Sequence, residues 1–494
     1  MSFPRSALAL FALATLCAGA LIAGTVIQTP APSSDPNPIG TAYGVTPLAA
    51  GPTFPSSTDT YAIYTRPTLV PTDVTYWVVS KSGTSILRVL NNTFQPVQTV
   101  NLGTSSTAAA MSPNGQRFVI ITGNTLRIFD AATIQQLQIG NLDIGLSPTD
   151  VVISPDSKRA FIMDGLGQKV TAVDLTTNAI IGTAGPFVGI SSGSITFGPN
   201  GMLYVSAPTN NNSVVYEMNP LADPFDLANA RRRQFSVSGK VGKLYFTPDG
   251  TRALAPNENT ATGVVLYFFN IADSGGGSVT LNNSEPIVAG VTFDKIYILG
   301  NSLAYGISSG SSNPARKIYQ IQIPDLPAPG VNLAPPMVSE PVFGSLGTPQ
   351  IAESLTYSRE YPLAKKMWIA SPLSTLPNSL VPSVLYEIDV ASKNKSSETN
   401  LPYVPGFVQY VDPVQTANTA TVGQVLTVNP NPTNLPLLTV SLPFGVKVLT
   451  AAGEPIFGLP VSFATNLSTV TFEGGNTVTT NAEGFAFVRV KTPN

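Results

Sequence analysis

Two pentapeptides, Gly189-Ile190-Ser191-Ser192-Gly193 and Gly306-Ile307-Ser308-Ser309-Gly310, spell Gly-x-Ser-x-Gly. That pattern presents a serine nucleophile on a sharp turn between a strand and a helix. Such a serine needs a base to take its proton, and the chain has no histidine at all. Its one cysteine, Cys17, lies in an apolar N-terminal run, so the mature chain is expected to carry neither imidazole nor thiol. This removes the usual general base near neutral pH, the Ser-His and Cys-His nucleophiles, and the nitrogen and sulfur ligands that zinc, copper and haem favour. Oxygen-ligand ions such as Ca²⁺ stay possible, but no Asp-rich loop of the EF-hand kind is present. Both pentapeptides lie among β-rich segments and are expected to be turns.

The 28 Asp and Glu residues supply enough carboxylates for a glycosidase pair, yet nothing places two of them on one site. Asp130, Asp174 and Asp389 recur at one position, the end of an apolar strand, which suits a turn-former. Arg231-Arg232-Arg233 is the densest charge cluster. It offers a patch for a sulfated or phosphorylated glycan, or simply a solvated outer strand, which is the favoured reading. Phe225 and Phe235 flank it without the interleaving that a nucleic-acid stacking track requires. Tyr267-Phe268-Phe269 is expected to be core, with a carbohydrate groove as the alternative. No catalytic, cofactor-binding or metal-binding residue is assigned.

Charged residues make up only 11% of the 494, while hydrophobic ones make up 43%. Such a chain is not disordered; it suits many short strands joined by Gly/Pro turns. A net charge of −2 gives no general attraction to nucleic acid or acidic membranes.

Arg5, the apolar stretch from Ala7 to Gly24 and the small triplet Ala18-Gly19-Ala20 (or Ile22-Ala23-Gly24) read as a secretory signal over residues 1–24. An uncleaved anchor over Ala7 to Ile27 is the competing reading. A lipid-attachment site at Cys17 fits less well, because Leu16 stands where a small residue is wanted. Residues 25–72, rich in Pro, Ser and Thr, are expected to be a linker.

A repeat fills 73–413. Its clearest unit runs from Asp150: strand Val151-Val152-Ile153, turn Ser154-Pro155-Asp156-Ser157, strand Arg159 to Met163, strand Val170 to Asp174, then Ala179 to Gly182. The turn recurs with Pro113, Pro199 and Pro248, so that the four prolines are spaced by 42, 44 and 49 residues. Four strands in such a period make a propeller blade. Third strands are expected near Ile86, Leu126, Val170, Val214, Val264, Ile318 and Leu385, giving seven blades. The first blade lacks an evident first strand, and Pro405 to Pro413, which mimics Ser147 to Pro155, is expected to supply it and close the ring.

The unit Ser154 to Gly185 resembles the YVTN-type β-propeller repeat. It has that repeat's Pro155-Asp156 turn, Lys158-Arg159 ahead of an aromatic strand, Val170-Thr171-Ala172-Val173-Asp174, and Thr177-Asn178. Ser157 replaces the turn glycine, and Phe161-Ile162-Met163-Asp164 the eponymous tetrapeptide. The match is strongest over 105–187. The resemblance implies a propeller, common in secreted and surface proteins, and no single activity.

Residues 414–494 read as alternating strands of a β-sandwich. Gly453-Glu454-Pro455-Ile456-Phe457-Gly458 and Thr480-Asn481-Ala482-Glu483-Gly484-Phe485-Ala486 make this segment similar to a bacterial immunoglobulin-like domain of the invasin and intimin type. That resemblance implies a stalk or adhesive unit, and a further strand is expected to complete it.

The sequence thus points to an all-β, non-enzymatic chain, secreted or displayed on the cell surface. It is expected to bind an extracellular protein or glycan, without a cofactor, nucleic acid or membrane insertion of the mature chain. The alternative is a histidine-independent lactonase- or lyase-like enzyme working through carboxylates and possibly Ca²⁺.

Overall fold

The computed structural model describes residues 25–30 and 61–492, apart from internal stretches of which 31–60, 283–290, 309–316, 373–382 and 429–440 are the longest. The expected signal, 1–24, lies outside the described residues. Among the described residues the only helix is the single turn Leu227–Ala230, capped by the Asp226 carboxylate accepting from Asn229 N–H. No described helix is long and apolar enough to cross a membrane.

Seven four-stranded antiparallel sheets dominate, each built of strands consecutive in the chain. The third sheet is typical: Pro148–Ile153, Arg159–Asp164, Lys169–Asp174 and Ala179–Ala184. The expected third strands all occupy the third position of a sheet: Ile86–Leu90, Thr125–Asp130, Lys169–Asp174, Asn212–Met218, Val264–Asn270, Ile318–Gln322 and Ser383–Asp389. Their side chains alternate between two buried faces, because each sheet is covered on both sides. Tyr267 and Phe269 enter the cluster shared by the fourth and fifth sheets. Leu266 and Phe268 enter the one shared by the fifth and sixth. In the same way one apolar cluster joins each remaining consecutive pair from first to seventh. Sheet-to-sheet packing of this kind holds a repeat array together.

The turn between first and second strands shows why the sequence repeats. Gly115, Gly201 and Gly250 sit at φ 69°, 73° and 69°, and Ser157 takes the same left-handed conformation at φ 63°. Serine tolerates it there because its Oγ accepts the Asn114 N–H of the preceding sheet's turn at 3.0 Å. The arginine opening the second strand has an equally repeated task. Arg117 Nε donates to Leu175 O, Arg159 Nη1 to Pro220 O and Arg252 Nη1 to Pro324 O. Each acceptor lies just past the third strand of the next sheet, so the guanidinium fastens neighbours together.

The first sheet corrects one expectation. Its edge strand is Tyr61–Arg66, paired with Thr75–Ser80, and not a strand from the far end of the repeat. Pro405–Val411 instead pairs antiparallel with Thr25–Pro30, Thr25 facing Val411 and Thr29 facing Phe407. Both Tyr61–Arg66 and Thr25–Pro30 fall inside 25–72, where a linker was expected. The alternation Tyr61-Ala62-Ile63-Tyr64 is a strand signal, but the Pro-rich surroundings and the absence of a Pro-Asx-Gly turn before Thr75 hide it. Pro405–Val411 runs beside Ser354–Tyr357 of the seventh sheet and Tyr61–Arg66 of the first.

The C-terminal residues form a three-stranded sheet, Gln424–Val428, Phe444–Leu449 and Phe485–Val488, with shorter strand pairs around one core of Phe444, Val446, Val448, Ile456, Val461 and Phe463. This unit lies against the sheets rather than standing away from them. Tyr361 N–H donates to Gly453 O at 2.9 Å, and Ala482 N–H to Pro113 O at 3.0 Å. Asn481 Nδ2 reaches Pro155 O at 3.1 Å.

Candidate functional site

In an antiparallel meander the first-to-second turns of all sheets fall at one end, and the second-to-third turns at the other. The C-terminal unit touches the first of these ends. The other end carries the candidate site.

Where the first strands run side by side, charged and phenolic groups converge. Lys243 Nζ pairs with Asp150 Oδ2 at 3.2 Å, joining a residue just ahead of the fifth sheet to the first strand of the third. Tyr64, from the first sheet, and Tyr245, from the fifth, both feel the Asp150 charge. Burial raises the Tyr64 phenol well above its ordinary value, with Asp150 adding to it. Burial likewise pushes Tyr245 up to about 12, helped by Asp294 and Asp150. Both phenols are therefore protonated at neutral pH and offer hydrogen-bond donors, not a base. The geometry of the cluster is thus one ammonium paired with one carboxylate, with two protonated phenols packed near it.

At the same end stand two exposed leucines, Leu146 at 70% and Leu166 at 71% of full exposure. They flank Asp164, whose carboxylate is fully buried at the end of the third sheet's second strand. It accepts N–H bonds from Leu146, Ser147 and Gly167, each at 2.9 Å. Burial opposes its ionisation, but the bonds from Gly167, Leu146 and Ser147, with Lys169 nearby, outweigh that and hold the carboxyl below its ordinary value. A Cβ at Gly145 or Gly167 would collide with this carboxylate, so both glycines are required by its close approach. Two apolar side chains are thus displayed on a rigid, internally bonded loop pair.

The residues singled out in the sequence are placed as follows. Arg232 Nη1 and Arg233 Nη2 each reach Glu217 at 2.6 Å. Glu217 is 1% exposed and also accepts the Tyr204 hydroxyl at 2.6 Å. Two members of the arginine run thus share one buried counter-charge on an outer strand, and the run keeps a net positive charge. Asp130 accepts Ala132 and Thr133 N–H, Asp174 accepts Thr176 and Thr177 N–H, and Asp389 accepts Ser392 N–H. All three close the turn after a third strand. Ser308 is buried at a strand end, its N–H bonded to Lys317 O, while Gly189 to Ser192 lies outside the described residues. Tyr267 donates its hydroxyl to Ser238 O and is core.

Composition and repeat period passed over Asp150, Lys243 and Asp164. The signal for Asp150 was present: it is the acid that opens an otherwise apolar first strand, Asp150-Val151-Val152-Ile153. Among the described residues, no group of three or more acids is spaced to hold a metal ion.

No protein-family model matches the chain. No curated protein sequence matches it either. Solved structures do superpose. Hydrazine synthase of Kuenenia stuttgartiensis aligns at TM-score 0.43 and 14% identity, covering 66% of this chain and 94% of that one. The C-terminal WD40 domain of Sif2 gives 0.42 at 10%, covering 60% and 74%. The β-propeller domain of Cps50 (Swd1) from Myceliophteria thermophila gives 0.37 at 12%, covering 63% and 91%.

Proposed function

We propose that the seven four-stranded sheets are blades of a β-propeller, and that the pair Thr25–Pro30 with Pro405–Val411 closes the ring as a short eighth sheet. The placing of Pro405–Val411 beside both the seventh and first sheets supports this. The C-terminal unit would be an immunoglobulin-like sandwich, and the chain an exported binding or display module on the cell surface.

The observation that carries the binding reading is where the polar groups go. The repeated acids and the repeated arginines serve turns and sheet junctions, and Arg232 and Arg233 are drawn onto buried Glu217. What remains for function is the end away from the C-terminal unit, with the exposed Leu146 and Leu166 and the Asp150–Lys243 pair. Apolar side chains on a rigid support with charge nearby suit recognition of an extracellular protein or glycan. The test is binding of the mature chain to glycan arrays and to cell surfaces, repeated with Leu146→Asp and Leu166→Asp. Tenfold or greater loss on substitution supports the proposal, and no binding to any surface overturns it.

One observation favours an enzyme as second reading: Asp150, Lys243 and protonated Tyr245 meet where the first strands gather. Turnover of a lactone or glycan that Asp150→Asn abolishes would establish it.

A further inference from the structure

We infer that the C-terminal unit is a fixed stopper across one mouth of the ring's central channel, making the channel a cup that opens only at the end carrying Asp150 and Lys243. This rests on the ring reading above. The contacts are spread around the ring, not gathered at one side. Leu69 of the first sheet lies so close over Gly458 that a Cβ there would collide with it. Pro113 of the second sheet accepts Ala482 N–H, and Pro155 of the third accepts the Asn481 amide. Phe487 lies 3.5 Å from where a Cβ of Gly201, in the fourth, would stand. Tyr361 of the seventh donates its N–H to Gly453 O, and Lys447 lies 5.7 Å over the Tyr361 ring and 4.9 Å over Phe485. In ring order these are the seventh, first, second, third and fourth sheets, more than half the circumference. A unit leaning on the outer wall would meet two adjacent sheets. Every contacting turn joins a first strand to a second, next to the channel axis.

Three of these contacts are hydrogen bonds to fixed backbone carbonyls, and Lys447 is desolvated between two rings, so the seat is specific. Asp150 and Lys243 mark the opposite mouth. Asp150 is the third residue of Pro148–Ile153, near where the chain enters from the preceding sheet, and Lys243 just precedes Tyr245–Phe246. Thr196, the third residue of the first strand Ser194–Phe197, lies toward the stoppered end and joins none of the apolar clusters between sheets.

The chain's single cysteine makes the test simple. In full-length protein with Cys17→Ser, single cysteines are placed by Lys243→Cys and by Thr196→Cys and labelled with a neutral maleimide. Lys243→Cys is expected to react at least 100-fold faster. Adding Leu69→Arg and Asn481→Asp, which push against Gly458 and place a carboxylate at Pro155 O, should speed Thr196→Cys labelling tenfold or more and leave Lys243→Cys unchanged. Hydrogen exchange on the chain without added cysteines reads the seat itself: the Tyr361 and Ala482 amides should be slowed at least 100-fold. Free exchange at both overturns the stopper while leaving the ring intact. Protected amides with equal labelling at both cysteines overturn the channel, and the stopper with it.

Discussion

Asp164 is buried, and its carboxylate is held by three backbone N–H donors. Its folded carboxyl lies below the ordinary 3.8. Ionised Asp164 therefore adds stability that is complete above pH 3.8 and is lost as pH falls through the lower folded value. Asp164→Asn keeps the shape but turns an amide NH₂ toward N–H groups. It should cost about 2 kcal/mol in urea unfolding at pH 7, and the difference should narrow steadily below pH 3.8. A cost independent of pH would assign the loss to packing alone. Glu217 sets a second case at this scale, with Arg232, Arg233 and Tyr204 all turned on one buried carboxylate. Glu217→Gln leaves two guanidinium groups without their counter-charge and should cost about 3 kcal/mol, measured the same way. An arginine patch that existed for an anionic ligand would instead lose binding when mutated and leave stability unchanged.

At the scale of the strand and turn, much of the molecule was legible, and the reasons are specific. The turn Ser112-Pro113-Asn114-Gly115 and its relatives place proline and a left-handed residue at fixed positions, which marks the start of each second strand. The third strands announced themselves because they are apolar on both faces. Two-sided burial gives continuous hydrophobic runs such as Val264 to Phe269. The opening strand of the first sheet was not legible, since Tyr61–Arg66 lacks the turn that labels its counterparts. The partner of Pro405–Val411 was misassigned for a different reason. Its likeness to the first strands is real, but pairing across almost the whole chain is set by which edge is free, and a local pattern carries no such information. The Asp150–Lys243 pair escaped for the same cause, 93 residues apart in sequence. Val408 faces Gln28 in the clasp. Val408→Pro takes away a backbone donor and should lower the melting temperature by several degrees, while Val408→Thr, which keeps that donor, should lower it by much less. Equal melting of the two variants would mean that this strand pair closes nothing.

Across the whole molecule, two kinds of junction must be ranked. Six apolar clusters bind successive sheets from first to seventh. The C-terminal unit has its own core, separate from these, and meets the sheets through a few hydrogen bonds and ring contacts. Hydrogen bonds contribute about 1 kcal/mol each, so several acting together couple the two cores by a few kcal/mol. That is enough to make both unfold in one transition if their separate stabilities differ by less than the coupling. Calorimetry of the intact chain should then show one peak whose calorimetric and van't Hoff enthalpies agree. Leu69→Arg with Asn481→Asp weakens the junction without touching either core, and should split that peak into two, the upper one keeping its midpoint within about 2 °C. Two independent peaks in the unaltered chain would mean that the unit rests on the sheets without energetic coupling, and that its position there contributes nothing to holding them together.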